Sequence, residues 1–309
     1  MYAIDRCPCC NSRENRSFPA IVAPFISDYV LGQNALRFCK LVECGNCTFR
    51  YFDLRYDEKE TAALYRNYRG ESYYLARHRH EFWYRRKDND GIGHNADEIK
   101  NRKDFVSGMI LPHLDNSKIV NVLDYGGDKG QFIPEGIGAN KYVYELSDVL
   151  PLPGTVKLND GNIHDHRYDL IMLCHVLEHC SDPSGMLGKI KQLVQGTTFF
   201  YFEVPFENYP IPPNWASAAY ERYLHIIAGA GTMVVLCDCI STVSRLLLGR
   251  FPRWGFAKLH EHINYYNEKS LAELLLREGF RIIACKGDDC KSHSHIARKI
   301  GCLASFSKQ

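Results

Sequence analysis

Asp124-Tyr-Gly-Gly-Asp-Lys-Gly130 puts two carboxylates into a glycine turn directly behind an apolar run at 119–123, and Glu145 follows a second short apolar run. Glycines let a turn tighten until the backbone can approach a ligand. An acidic residue closing the next strand accepts hydrogen bonds from ribose hydroxyls. Strand, glycine turn and acidic strand end together form the skeleton of a site for an adenosine-containing cofactor.

The turn also discriminates between cofactors. A dinucleotide turn carries glycine where Asp128 stands, because the pyrophosphate must approach the backbone there, and a carboxylate in that place repels phosphate oxygens. S-adenosylmethionine has no phosphate and carries positive charge on its sulfonium and amino groups. Asp128 therefore favours it, with Asp124, Gly126, Gly127, Gly130 and Glu145 as the other cofactor residues and Asn159 or Asp160 as the adenine contact.

A second reactive set lies at the amino end. Cys7-Pro-Cys-Cys10 and Cys44-Gly-Asn-Cys47 repeat the C-x2-C spacing across 33 intervening residues. Two such turns, each aiming two thiolates at one point, describe a tetrahedral structural zinc site of Cys7, Cys10, Cys44 and Cys47. Cys9 and Cys39 are alternative ligands.

A third set contains general bases. His175-Val-Leu-Glu-His179 follows an apolar run, Tyr201-Phe-Glu-Val204 ends another, and His260-Glu-His262 stands further on. The pattern H-x-x-E-H is also that of inverted zinc proteases, but that chemistry needs it within a helix, whereas here it precedes the helix start Asp182-Pro183. Methyl transfer to a hydroxyl or carbon needs a proton removed. His179, Glu203 and His262 are the candidate bases, with Tyr201 and Glu178 beside them, and His175 belongs with the cofactor loop.

These residues demand strands that end on one edge. Strands are expected at 119–123, 142–145, 154–158, 168–174 and 197–204, with a final antiparallel pair at 281–285 and 302–306. A short strand at 48–53, a long Tyr-rich helical region at 57–87 and a helix at 96–111 precede them. The charge-dense stretch 77–104 reads as a solvated face. The expected division is a zinc-knuckle module at 1–55, a helical linker with substrate-side helices at 56–115, and a Rossmann-like domain at 116–309. Within it, an insertion at 206–258 supplies a lid over the acceptor pocket, with Trp215, Tyr220, Trp254 and Phe256 as walls. A dimer surface or a peripheral membrane helix are the other uses of its apolar run.

The motifs at 124–130, 145, 168–183, 262–271 and 278–280 occur in an order that resembles the class I S-adenosylmethionine-dependent methyltransferases over nearly the whole chain. With the four-cysteine knuckle, the resemblance narrows to a branch of sugar and natural-product methyltransferases, including C-methyltransferases of nucleotide-linked sugars. It implies an α/β fold with a seven-stranded, mostly parallel sheet whose last strand is antiparallel, and a small-molecule acceptor. That branch places a tyrosine and a glutamate-histidine pair where this chain has Tyr201, Glu203 and Val204, so a histidine from another loop must act. Asp128 and a compressed stretch at 145–156 also depart from the pattern.

Composition excludes several classes. A net charge of +2 gives no electrostatic footprint for nucleic acid, and no apolar run is long enough for a membrane span. Thirteen cysteines without a leader segment point to reduced thiols and a cytoplasmic location. The alternatives in other classes are an NAD-dependent oxidoreductase on the same strand-turn-strand plan and a non-catalytic zinc-knuckle interaction protein.

Overall fold

A fully apolar strand such as Leu170–Cys174 must be covered on both faces, which a parallel sheet flanked by helices achieves. The computed structural model describes residues 1–32, 38–91, 93, 95–207, 209–228, 232–287 and 299–307. From the amino end come β1 (Tyr2–Ala3), β2 (Asn15–Val22), α1 (Pro24–Tyr29), β3 (Phe38–Cys44), β4 (Arg50–Phe52) and β5 (Leu54–Arg55). Helices α2 (Glu58–Tyr65), α3 (Glu71–His80), α4 (Arg86–Gly91) and α5 (Ala96–Ile110) lead to β6 (Asn121–Tyr125), β7 (Asn140–Tyr144), β8 (Thr155–Leu158) and β9 (Leu170–Cys174). Next are α6 (Pro183–Lys191), β10 (Thr197–Pro205), α7 (Ala218–Ala228), α8 (Thr232–Leu248), β11 (Ala257–Leu259) and β12 (Asn264–Tyr265). The chain closes with α9 (Glu268–Arg277), β13 (Arg281–Gly287) and β14 (Lys299–Ser307).

Among the described residues the main sheet has seven strands in the order β13-β14-β10-β9-β6-β7-β8. All neighbours on the β10 to β8 side are parallel, whereas β14 runs antiparallel to both β10 and β13. This is the expected Rossmann-like α/β sheet with an antiparallel last strand. The polar stretch 288–298 between β13 and β14 lies outside the described residues. Strand order reverses between β6 and β9, and the crevice outside the carboxyl ends at such a switch point is where open α/β sheets bind ligands.

A second sheet, β11-β2-β3-β4-β12, takes strands from both 15–52 and 257–265. Sequence reading found only its strand near 48–53. Pro19 obscured β2, and it is tolerated because β11 pairs only with positions 20–22, leaving Pro19 without a neighbour on that side. The Tyr-rich region is three helices rather than one. Arg69 has φ +59° and Gly70 caps α3, which ends the helical path after α2, and Glu81 at φ −127° ends α3.

The insertion helices α7 and α8 bury Tyr220, Leu224, Ile227 and Val234 against Ile21 and Phe256 of the second-sheet region. Trp215 meets Phe18 edge-on at 4.8 Å, and Trp254 lies against Tyr223 at 5.5 Å. The four expected wall aromatics thus pack within or beside this contact. The outer side of α8 exposes Met233, Leu236, Ile240 and Leu247. No helix among the described residues is long and apolar enough to cross a membrane.

Candidate active site

Parallel pairing fixes which residues meet at the sheet edge. Asp124 lies opposite Val143 and Met172, and Glu203 opposite Cys174, so the turns after β6, β7, β9 and β10 open on one side. Gly126 and Gly130 have φ +73° and +75°, and Asp128 itself is left-handed at +53°. An added Cβ on Gly127 would sit 2.2 Å from Asp124 Cγ, and one on Gly126 would sit 2.7 Å from Val176. The turn is therefore closed tightly over the Asp124 carboxylate and against the loop after β9.

Asp124 is fully buried, and neither carboxylate oxygen has a hydrogen-bond partner. Burial pushes its pKa up to about 7 against the opposing pull of Arg102, with Glu145, Glu203 and Asp128 adding to the rise. Glu145 accepts from the amides of Asp128 at 3.2 Å and Ser147 at 2.9 Å, which ties the second strand end to the turn. Gln131 donates to Asp128 at 2.9 Å. Residues 131–139 form turns rather than a helix, and 146–154 replace a second helix with a loop held to Lys129 by the Leu152 amide at 3.0 Å. A pyrophosphate relies on a helix N-terminus behind the glycine turn, and none follows here. Asp160 accepts from Tyr144 at 2.6 Å, whereas the Asn159 side chain closes its own turn on the Gly161 amide at 2.9 Å.

Glu203 is the anchor of the next loop. Arg102 Nε donates to it at 2.9 Å, Tyr201 Oη donates at 2.9 Å, and His175 Nε2 lies 3.2 Å away. Burial favours the neutral acid, yet Arg102 and His175 hold the Glu203 pKa down to about 2. His175 is held left-handed at φ +59°, with its amide donating to the Glu203 carbonyl at 2.8 Å. Such a conformation costs a β-carbon residue roughly 1–3 kcal/mol, so the contact to Glu203 sets the backbone here. Val204 points to the opposite face, among Phe200 and Phe202, and takes no part.

Sequence reading missed Arg102, which was placed on a solvated face. Its signal was the spacing to Val106, Met109 and Ile110, the buried stripe of α5. Its guanidinium also lies over the Phe132 ring at 3.6 Å. Glu207 and Glu261 were missed too, since their roles arise only from what the fold sets beside them.

Glu178, His179 and His262 come together although 82 residues separate the two histidines. Asn264 makes the bridge: its Nδ2 donates to the carbonyls of Leu177 at 2.9 Å and Cys180 at 2.7 Å, and its Oδ1 accepts from buried Arg55 at 2.7 Å. The Ile263 amide donates to the Glu178 carbonyl at 3.0 Å. The two imidazoles meet at 4.7 Å. His179 Nδ1 lies 3.1 Å from the Glu261 carbonyl, and His262 Nδ1 lies 3.1 Å from Glu207. Burial pushes Glu178 up to about 7 and His179 well below the usual imidazole range. Burial also works against charge on His262, but Glu207 and Glu178 raise it to about 9. Tyr65 meets His179 edge-on at 5.7 Å, and Tyr68 donates to Glu261 at 3.4 Å. His260 turns away to Glu81 at 3.2 Å, in a buried network with Lys258 and Asp238.

At the amino end the sulfurs of Cys7, Cys10, Cys44 and Cys47 all lie within 4.8 Å of one another. Cys7 meets Cys47 at 3.5 Å, and Cys10 meets Cys44 at 3.5 Å. Four sulfurs at about 2.3 Å from a tetrahedral zinc would stand about 3.8 Å apart, so this arrangement fits the ion. Asn11 and Thr48, each directly after the second cysteine of a pair, both turn left-handed at φ +60° and +57°, which gives the two knuckles one shape. Cys9 packs beside the cluster, and Cys39 belongs to the separate core of the second sheet. Arg277 and Lys269 on or beside α9 donate to the carbonyls of Pro8 at 2.8 Å and Asn46 at 2.6 Å, docking the knuckles on the main domain.

Strand order, switch-point crevice and glycine turn define the Rossmann-like fold of the S-adenosylmethionine-dependent methyltransferases. Residues 65–284 match the family model described as "Methyltransferase domain", and the chain belongs to that family. No curated protein matches it. Among solved structures, it is similar to the 1,6-didemethyltoxoflavin-N1-methyltransferase of Burkholderia thailandensis, with bound 1,6-didemethyltoxoflavin and S-adenosylhomocysteine, at 13% identity and TM-score 0.47, over 85% of this chain and 97% of that one. The magnesium protoporphyrin IX methyltransferase of Synechocystis is similar at 14% identity and TM-score 0.39, over 68% and 84%. An S-adenosylmethionine-dependent methyltransferase of Mesorhizobium loti gives 14% and 0.39, over 67% and 100%.

Proposed function

We propose that the protein methylates a small-molecule acceptor, with a hydroxyl or an acidic carbon of a sugar or natural product as the preferred target. The observation that carries this reading is Asp124: a buried carboxylate with no protein partner, directly under a glycine turn that lacks a following helix. Such a carboxylate calls for a cationic ligand group and disfavours a dinucleotide. Bound S-adenosylmethionine supplies a sulfonium methyl, which passes to the acceptor nucleophile while the broken S–C electron pair stays on sulfur. Asp124, the backbone of 126–130 and Glu145 hold the amino acid and ribose parts. Asp160 faces the adenine end through its bond to Tyr144.

The acceptor lies on the other side of the β9 turn, between Tyr65, Tyr68 and the Glu178, His179, His262 cluster. A proton leaving an acceptor hydroxyl is taken there by Glu178 or His179, because neither Glu178 oxygen has a hydrogen-bond partner among the described residues and the His179 ring is partly open. Glu203 is an anchor rather than a base: Arg102 and Tyr201 occupy its oxygens, and His175 closes over it. Tyr201 is then a positioning residue. The four cysteines hold a structural zinc ion that joins two turns too small to form a core.

Calorimetry with S-adenosylmethionine tests the core of this reading. Asp124→Asn and Glu145→Ala are expected to weaken binding at least tenfold each, and unchanged affinity in both overturns it. Turnover over a panel of hydroxylated and carbon-acid acceptors then separates an enzyme from a cofactor-binding module.

A further inference from the structure

The cluster of Glu178, His179 and His262 is more ordered than base catalysis requires. One atom from each residue can be chosen so that all three lie within 4.8 Å of one another. Glu178 is fully buried and neither oxygen has a hydrogen bond among the described residues, an expensive state for a carboxylate whose nearest nitrogens are His175 Nδ1 at 3.7 Å and His179 Nε2 at 4.0 Å. The histidines are oriented in a specific way. His179 Nδ1 faces a backbone carbonyl and His262 Nδ1 faces the Glu207 carboxylate, both acceptors, so each Nδ1 must carry the hydrogen. In the neutral imidazole the lone pair is then on Nε2, and His179 Nε2 lies on the side of Glu178, 4.0 Å from its Oε1.

Those are the marks of a metal centre with its supporting contacts in place. Metal-binding histidines almost always donate their other nitrogen to a carbonyl or carboxylate, which fixes tautomer and ring orientation. Two imidazoles and one carboxylate form the donor set of divalent ions that keep coordination places open for water or substrate. Three atoms 4.8 Å apart lie about 2.8 Å from their common centre, so each needs to move inward by about 0.7 Å to reach a bond of about 2.1 Å. Glu178 is sealed from solvent while the two histidine side chains keep 19% and 30% exposure, so the cluster is open on the side of the imidazoles.

We propose that Glu178, His179 and His262 bind a divalent transition-metal ion that takes the acceptor oxygen as a further ligand, distinct from the zinc of the cysteine knuckles. The proposal rests on the acceptor reading given above. A metal-bound hydroxyl loses its proton at far lower pH than a free one, which would allow the cluster to act without a separate base.

The test is titration of the purified full chain, after its cysteine site has been filled with one equivalent of zinc, with zinc, manganese(II) or cobalt(II). A second equivalent of at least one ion is expected. Glu178→Gln and His262→Ala should each lower its affinity at least tenfold, and Glu207→Gln should lower it through the ring it orients. Bound cobalt should show the weak visible bands of nitrogen and oxygen ligation, without the intense sulfur bands that the knuckle gives. Glu178→Gln keeps the shape of the side chain, so it serves if His262→Ala does not fold. A stoichiometry that stays at one with all three ions, or a second equivalent undiminished in both variants, overturns the proposal. S-adenosylmethionine affinity measured on the same samples separates the two layers: normal cofactor binding without a second metal removes only the metal, whereas absent cofactor binding removes the methyltransferase reading itself.

Discussion

Asp124 links cofactor binding to pH in a way that can be calculated. The ligand-free protein holds this carboxyl at about 7, because burial outweighs the nearby Arg102 guanidinium while Glu145, Glu203 and Asp128 add negative charge around it. A cationic ligand selects the ionised form. If its arrival pulls the carboxyl well below pH 5.5, affinity is nearly constant above pH 8 and falls about tenfold per unit below 7. From pH 8 to 5.5 the loss is about 30-fold, or about 2 kcal/mol. Asp124→Asn should flatten this dependence and cost about 10–100-fold at pH 8, the range for losing a charge-assisted hydrogen bond. Stability moves the opposite way. The carboxyl binds its proton more tightly when folded than at the unfolded value of 3.8, so the ligand-free protein loses stability as pH rises from about 4 to 7, by at most about 4 kcal/mol. Asp124→Asn should therefore raise the ligand-free melting temperature at pH 8 and much less at pH 5. The assays are calorimetric titration and thermal unfolding across pH 5 to 8.5, with Glu178→Gln as a control because Glu178 also titrates near 7. A flat wild-type affinity, or an Asp124→Asn variant with the same slope, refutes the assignment of Asp124 to the cationic part of the cofactor.

Three further outcomes follow from the packing. Arg102→Ala leaves Glu203 buried without its main counter-charge and should destabilise the protein by about 3–5 kcal/mol in denaturant unfolding, whereas Arg102→Met combined with Glu203→Met should recover much of that loss. The sign with pH is fixed by the depressed Glu203 value: the stabilisation is present above the unfolded carboxyl pKa of about 4.5 and disappears as pH falls toward 2, so the Arg102→Ala penalty should shrink in acid. Gly127→Ala would bring a methyl to 2.2 Å from Asp124 Cγ, and the turn must open to admit it; S-adenosylmethionine affinity should drop at least tenfold with a stability loss of about 1–3 kcal/mol. Removal of zinc by a strong chelator, or Cys10→Ser, should lower the melting temperature and expose the 1–14 and 44–48 turns to protease, and re-addition of zinc should restore only the wild type.

Much of the main domain was written locally. Alternating apolar runs and helix starts located β6 to β10, and the C-x2-C spacing found four sulfurs that do converge. The glycine turn was equally legible, since tight backbone geometry demands glycine at specific places. Sequence was blind where partners are remote. The charge-dense stretch 77–104 looked solvated because helical periodicity is diluted by its polar residues, yet Arg102 and Glu81 are buried by ion pairs to Glu203 and Lys258. The second sheet was hidden because its strands come from opposite ends of the chain.

The cluster at the β9 turn marks the boundary most clearly. Sequence set His175-Val-Leu-Glu-His179 in the loop before the Asp182-Pro183 helix start and gave His175 and His179 separate roles, without showing what either meets. Residues 177–179 form a single 3-10 turn, His175 swings to Glu203, and the partner of His179 is His262. The amino-acid sequence by itself determined the cofactor turn and the cysteine spacings, because each depends on backbone geometry over a few residues. Only the tertiary structure decided which histidines and carboxylates share a site, because Asn264 must bridge two loops and a second sheet must carry His262 across to Glu178.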